Sequence, residues 1–233
     1  MSIGAAFAIF VLLIVIMAAL RQQLVYEISG ASLLLFGSTR PGIVLYSLIF
    51  LPGTIIHELS HWIVAEILQV RTGAITIFPE FEGTGESQRL GSVATAKSDP
   101  FRGFLIGVAP FVTGIGILLV LGRLLMIGWG VFSWWYLILI IYGVIVISNS
   151  MIISKEDRRT WPFIIIALVL LIIVMYRMQL TLSPSVTLLA SNTFTKLNLV
   201  LGVTAGVNLV MIGGSYLTRR LVERVTNKRI IRK

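Results

Sequence analysis

The sequence predicts an all-α, polytopic membrane protein of about six transmembrane helices, with a short β-hairpin-like loop at the membrane surface. Two observations carry this fold class. Hydrophobic residues make up 57% of the chain and charged residues only 12%, about half the charged share usual in a soluble domain. The apolar residues also gather into runs of about 20, the length a helix needs to cross ~30 Å of hydrocarbon.

The first run is 3–20, "IGAAFAIFVLLIVIMAAL". It lacks a basic N-terminal flank and a following small-residue cleavage site, so a retained helix is expected rather than a signal peptide. The piece 29–37, "SGASLLLFG", is too short to span and is expected to be re-entrant or interfacial. Further spans are expected at 43–69, 101–122, 131–150, 161–180 and 194–217. Pro52 and Gly53 predict a kink or break in the second span. Gly103, Gly107, Gly114 and Gly116 let neighbouring helices approach the third. Asn198 and Asn208 suit hydrogen bonding between helices in the last. Trp129, Trp134, Trp135 and Trp161 suit the membrane interface.

The largest polar connection is 71–100. In it, "AITIF" and "LGSVATA" flank a Gly/Glu-rich turn and predict a hairpin or edge strand at the surface. The chain is expected to form a single membrane domain over 1–233. Its core would be about 43–160, with 3–20, 161–180 and 194–217 as accessory helices and 218–233 as a basic tail.

The net charge of +9 raises a nucleic-acid reading, but the basic residues form no patch interleaved with aromatics, and no nucleic-acid partner is expected. The tail "TRRLVERVTNKRIIRK" instead suits the cytoplasmic face and anionic lipid. With six spans, both termini share one side, which also collects Arg71, Arg89, Lys97, Arg102, Lys155, Arg158 and Arg159. The opposite side keeps only Arg21, Arg40, Arg123, Arg177 and Lys196. Both termini are therefore expected to be cytoplasmic, with a prokaryotic cell membrane as the location. There are no cysteines, so thiolate metal sites and cysteine nucleophiles are excluded.

The second span holds both histidines of the chain, in "HELSH". His57 and His61 are about 400° apart around a helix, so both rings lie on one face. That spacing lets two imidazoles take one zinc ion, and Glu58 stands beside the first as a general base. Ionisable groups inside a span normally face a protein interior or a wet cavity and have a function. Glu66, nearer the end of the span, reaches the interface. The ligands would lie about 15 Å from Arg71 along the helix, inside the membrane in its cytoplasmic half. Catalytic zinc usually takes three protein ligands, and Asp157, in "SNSMIISKEDRRTWP", is the strongest candidate for the third. The other aspartate, Asp99, sits in the polar loop.

In these residues the sequence resembles the site-2 protease family of intramembrane zinc metalloproteases. That family carries HExxH on one transmembrane helix and, two helices later, an Asn-x-x-Pro-x-x-Pro-x-Asp-Gly motif. Here "HELSH" and "NSMIISKED" follow in that order, with the Asn-to-Asp spacing kept. "GVAPFVTGIG" (107–116) is similar to the family's small-residue segment, and the likeness covers about 43–160. It implies that His57, His61 and Asp157 bind one Zn2+ per chain and that Glu58 activates water. It also implies that Asn149 holds the substrate backbone or stabilises the oxyanion. Ile152 and Lys155 replace the two prolines and Arg158 the glycine, so Glu156 stays open as the third ligand.

The expected function is intramembrane zinc metalloendopeptidase, acting on membrane-protein substrates in regulated intramembrane proteolysis. Strands in 71–100 would pair with an extended substrate by edge addition. The alternative is a non-catalytic relative, or a metal-binding membrane transporter or scaffold. A prenyl-protein protease is a weaker reading, because no later Glu-Asn-x-x-x-Asp-like pattern follows.

Overall fold

The computed structural model describes residues 2–78, 80–82, 87–89, 91–96, 98–128, 130–152 and 183–228, together with Asp157 and isolated positions between 162 and 178. Five helices and four short strands are described: α1 (Ile3–Phe36), α2 (Arg40–Ile67), β1 (Thr72–Thr76), β2 (Glu80–Glu82), β3 (Ser87–Arg89), β4 (Ser92–Thr95), α3 (Pro100–Gly128), α4 (Trp134–Ser150) and α5 (Pro184–Thr226). Helices α1, α2, α3 and α5 are long and apolar enough to cross a membrane. The architecture is that of an all-helical membrane protein. At 17 residues, α4 is shorter, about 26 Å. The expected span at 161–180 lies for the most part outside the described residues.

Helix α1 corrects the reading of 29–37. That piece is no separate segment but the last turns of one 34-residue helix, about 51 Å long. No proline interrupts residues 20–36, and the polar residues that seemed to end the span find partners inside the protein. Gln23 donates to Glu27 at 2.7 Å, and Glu27 accepts from Arg219 at 2.6 Å. The helix stops at Gly37, whose φ of 69° suits a left-handed cap and whose N–H closes on the Leu33 carbonyl.

The chain then turns back. Ser32 Oγ donates to the Ser38 carbonyl at 2.8 Å and accepts from the Gly42 N–H at 3.0 Å. A Cβ at Gly42 would lie 2.8 Å from the Ile28 carbonyl oxygen, so α2 begins in backbone contact with α1. Farther along, Leu24, Tyr46, Phe50 and Val146 form a buried cluster joining α1, α2 and α4. Pro52 lies within α2. Next to this break in the ladder, the Ile49 carbonyl accepts from the Tyr142 hydroxyl at 2.7 Å.

Residues 72–95 form the expected hairpin in two nested pieces. β1 pairs antiparallel with β4, with a register shift between Thr72 and Ile75, and β2 pairs antiparallel with β3. Asp99 then starts α3. Its Oδ1 accepts from the Phe101 and Arg102 N–H groups at 3.1 and 3.0 Å. Those bonds, the Arg102 N–H first, hold its carboxyl below the usual carboxylate range. This aspartate is a helix cap.

Helix α5 has 43 residues and lies along α1 in the same direction. Asn198 donates to the Ala6 carbonyl at 2.9 Å, Asn208 reaches Met17 Sδ at 3.6 Å, and Arg219 meets Glu27. The beginning of α1 and the end of α5 thus lie at opposite ends of this pair. Helix α5 runs on through the first part of the basic tail to Thr226 and buries Arg219. Residues 229–233 lie outside the described residues.

Arg219 holds the helix pair in register by bridging Glu27 and Glu223, each at 2.6 Å. Removing one member of such a buried group strands the others. Arg219→Ala is expected to lower stability by about 3 kcal/mol, measured by thermal unfolding in detergent. Replacing Glu27, Arg219 and Glu223 together with leucine is expected to recover most of that loss.

Candidate metal centre

Helix α2 places His57 and His61 one turn apart, with ring centroids 4.9 Å apart. Each ring is held from behind. His57 Nδ1 lies 2.7 Å from the Ser150 carbonyl oxygen, and His61 Nδ1 lies 2.8 Å from that of Ile106. A carbonyl only accepts, so these partners assign the proton of each neutral ring to Nδ1 and leave a lone pair on Nε2. The two Nε2 atoms face each other at 3.3 Å. Asp157 closes on the same point, with Oδ1 3.3 Å from His61 Nε2 and Oδ2 3.8 Å from His57 Nε2. One ligand atom from each residue lies within 4.8 Å of the others.

These residues fit a metal ion. Two imidazole nitrogens and one carboxylate oxygen converge on one point, a donor set that a single cation would hold together. Donors about 2.0–2.1 Å from a tetrahedral zinc stand ~3.3 Å apart, which is the separation of the two Nε2 atoms. Two imidazoles and one carboxylate also suit zinc better than the hard, oxygen-preferring calcium or magnesium. Carbonyl partners behind both ligating histidines are the usual second layer of such sites. Among the described residues, no other group of three such side chains converges.

The backbone explains how the ligands meet. α4 ends at Ser150, whose carbonyl, in the last turn, meets His57. A Cβ at Gly53 would overlap Ser150 Oγ and lie 2.7 Å from Val146, so the glycine lets α4 sit close to α2. Gly114 makes the same room for Met151, and a Cβ at Gly107 would overlap the Asp157 carbonyl. Asp157 thus rests on the backbone of α3. Sequence reasoning assigned Gly107 to helix packing. The spacing from Gly107 to Gly114, two helical turns, was the signal that both serve one face.

Glu58 is buried on the same turn as His57. A Cβ at Gly91 would lie 2.8 Å from Glu58 Oε1 and 3.0 Å from Thr54 Cγ2. The return limb of the hairpin therefore lies against the acid, which the sequence did not foretell. Among the described residues the Glu58 carboxylate accepts no hydrogen bond.

Asn149 does not join the cluster. Its Nδ2 donates to Ile145 O at 2.8 Å and to Asn208 Oδ1 at 3.2 Å, and its Oδ1 accepts from Asn208 at 3.0 Å. With both donors used and the side chain buried, it links α4 to α5. Those bonds set the side chain apart from the point where His57, His61 and Asp157 meet. The helix continues through residue 149, which turns this side chain towards α5 while the next carbonyl meets His57. Glu156, the alternative third ligand, lies outside the described residues.

Comparison with protein-family models, with characterised proteins and with solved structures finds no match to this chain.

The glycine contact gives a test that leaves every ligand in place. Gly107→Ala improves helix propensity but is expected to push Asp157 away and weaken zinc binding by at least roughly tenfold, read by competition with a chelator. Asp157→Ala is expected to show the larger loss.

Proposed function

We propose that this protein is an intramembrane zinc metalloendopeptidase that hydrolyses peptide bonds of membrane-protein substrates. The observation that carries the reading is the convergence of His57, His61 and Asp157 beside a buried glutamate within a helix long and apolar enough to cross a membrane. A bound zinc ion supplies Lewis acidity and makes water a nucleophile near neutral pH. The chain's own residues do the rest. The Ser150 and Ile106 carbonyls hold both imidazoles in the ligating tautomer. Glu58 accepts the proton of the attacking water and delivers it to the leaving amine. Its burial among α2 and the hairpin keeps bulk solvent from competing for that proton.

A peptide bond within a helix has its carbonyl and N–H engaged, so the substrate must be extended where it is cut. The β1–β4 pair stands beside Glu58 and offers strand edges to such a segment. Regulated intramembrane proteolysis is the biological setting that suits this chemistry.

Glu58→Gln separates the peptidase from a metal-binding transporter or scaffold. The peptidase reading expects cleavage of a transmembrane reporter to fall by roughly 10²–10⁴-fold, with zinc content unchanged by elemental analysis. Full retention of function with glutamine in place would identify a non-catalytic metal protein.

A further inference from the structure

Helix α3 contains Pro110 in its interior. Proline has no N–H, so the carbonyl four residues earlier loses its helical donor, and the ring tilts that carbonyl outward. The carbonyl in question belongs to Ile106. It is the one that lies 2.8 Å from His61 Nδ1. Ile106, Pro110 and His61 are all buried, so water cannot serve either the carbonyl or the ring in their place.

We infer that Pro110 is a positioning residue for the metal centre, one that frees the Ile106 carbonyl to fix the tautomer and direction of the His61 ring. The inference rests on the peptidase reading only for the presence of the metal. Its content concerns a hydrogen bond within the chain. His57 meets the same need by another route, since its acceptor is a carbonyl in the last turn of α4. In α3, which runs on for many residues past Ile106, only the missing N–H of a proline leaves the acceptor unclaimed. An alanine at 110 restores the N–H and straightens the helix. The Ile106 carbonyl then returns to the ladder, and His61 Nδ1–H loses its partner or shares it. The Nε2 lone pair is then no longer held on the common point.

This role and a purely structural one predict opposite signs. If the proline only shaped the helix, Pro110→Ala would alter stability and leave the intact metal site alone. If it positions His61, the metal-free full-length variant melts in detergent at the same or a higher temperature, yet binds metal more weakly. Cobalt(II) is the probe, because its visible absorption reports a tetrahedral N/O site without any turnover. We expect the wild type to bind one equivalent with a tetrahedral spectrum. Pro110→Ala should bind roughly 10–100-fold more weakly, the usual cost of losing a partner behind a ligating histidine, with a weakened or shifted band. Pro110→Gly restores the same N–H without alanine's helix preference and is expected to show the same loss, which keeps the test open if the alanine variant does not fold. Unchanged affinity and spectrum in a folded variant would overturn the positioning role and leave the peptidase reading standing. No stoichiometric cobalt in the wild type would overturn both.

Discussion

The two imidazole Nε2 atoms on α2 face each other at 3.3 Å with a carboxylate beside them, and each ring is fixed from behind by a backbone carbonyl. Much of the core architecture serves that one constraint. Each ring needs an acceptor behind it, and a helical bundle has few to give, because its carbonyls are spent on its own ladders. The protein finds one where α4 stops and one where α3 contains a proline. Asp157 rests on the backbone of α3, and a glycine lets it. Glycines on α2 and α3 thus shape the candidate site as much as its histidines do, since each permits a close approach that a methyl group would prevent.

A second constraint comes from the surroundings. In a chain this apolar, polar side chains inside the bundle are stabilised by partners in the protein. Ser148 meets Thr204 at 3.2 Å, Asn149 meets Asn208, and Arg219 meets Glu27 and Glu223. Because partners exist only at particular heights, these pairs fix how far α5 slides along α1 and α4. They also tie the last helix, which the motif pattern alone leaves outside the candidate site, to the residue next to Ser150.

Local chemistry was legible in the sequence. The spacing of His57 and His61, the β character around 72–76 and 92–95, the interhelical role of Asn208, and Asp157 as the acid meeting the histidines could all be read from residue types and intervals. What was not legible depends on where partners lie. The polar residues between 20 and 28 look like the end of a span until Arg219 is seen beside Glu27. Asn149 has the right interval to Asp157, yet its direction depends on whether α4 continues through it, and no interval encodes that. Gly91 gave no signal, since its role exists only when the hairpin folds onto Glu58. The shared direction of α1 and α5 is likewise a property of packing, which no count of apolar runs encodes.

The great length of α1 turns the helix into a depth gauge. Its apolar opening, residues 3–20, measures about 27 Å, close to the thickness of the hydrocarbon layer. Glu27 stands about 36 Å along the axis from Ile3, beyond that opening, and its charge is met inside the protein by Arg219 rather than by water. Met17 touches Asn208, which touches Asn149, the neighbour of the carbonyl behind His57. By that chain of contacts His57 stands near the level of Met17, about 21 Å along α1 and some 15 Å short of Glu27 and Arg219.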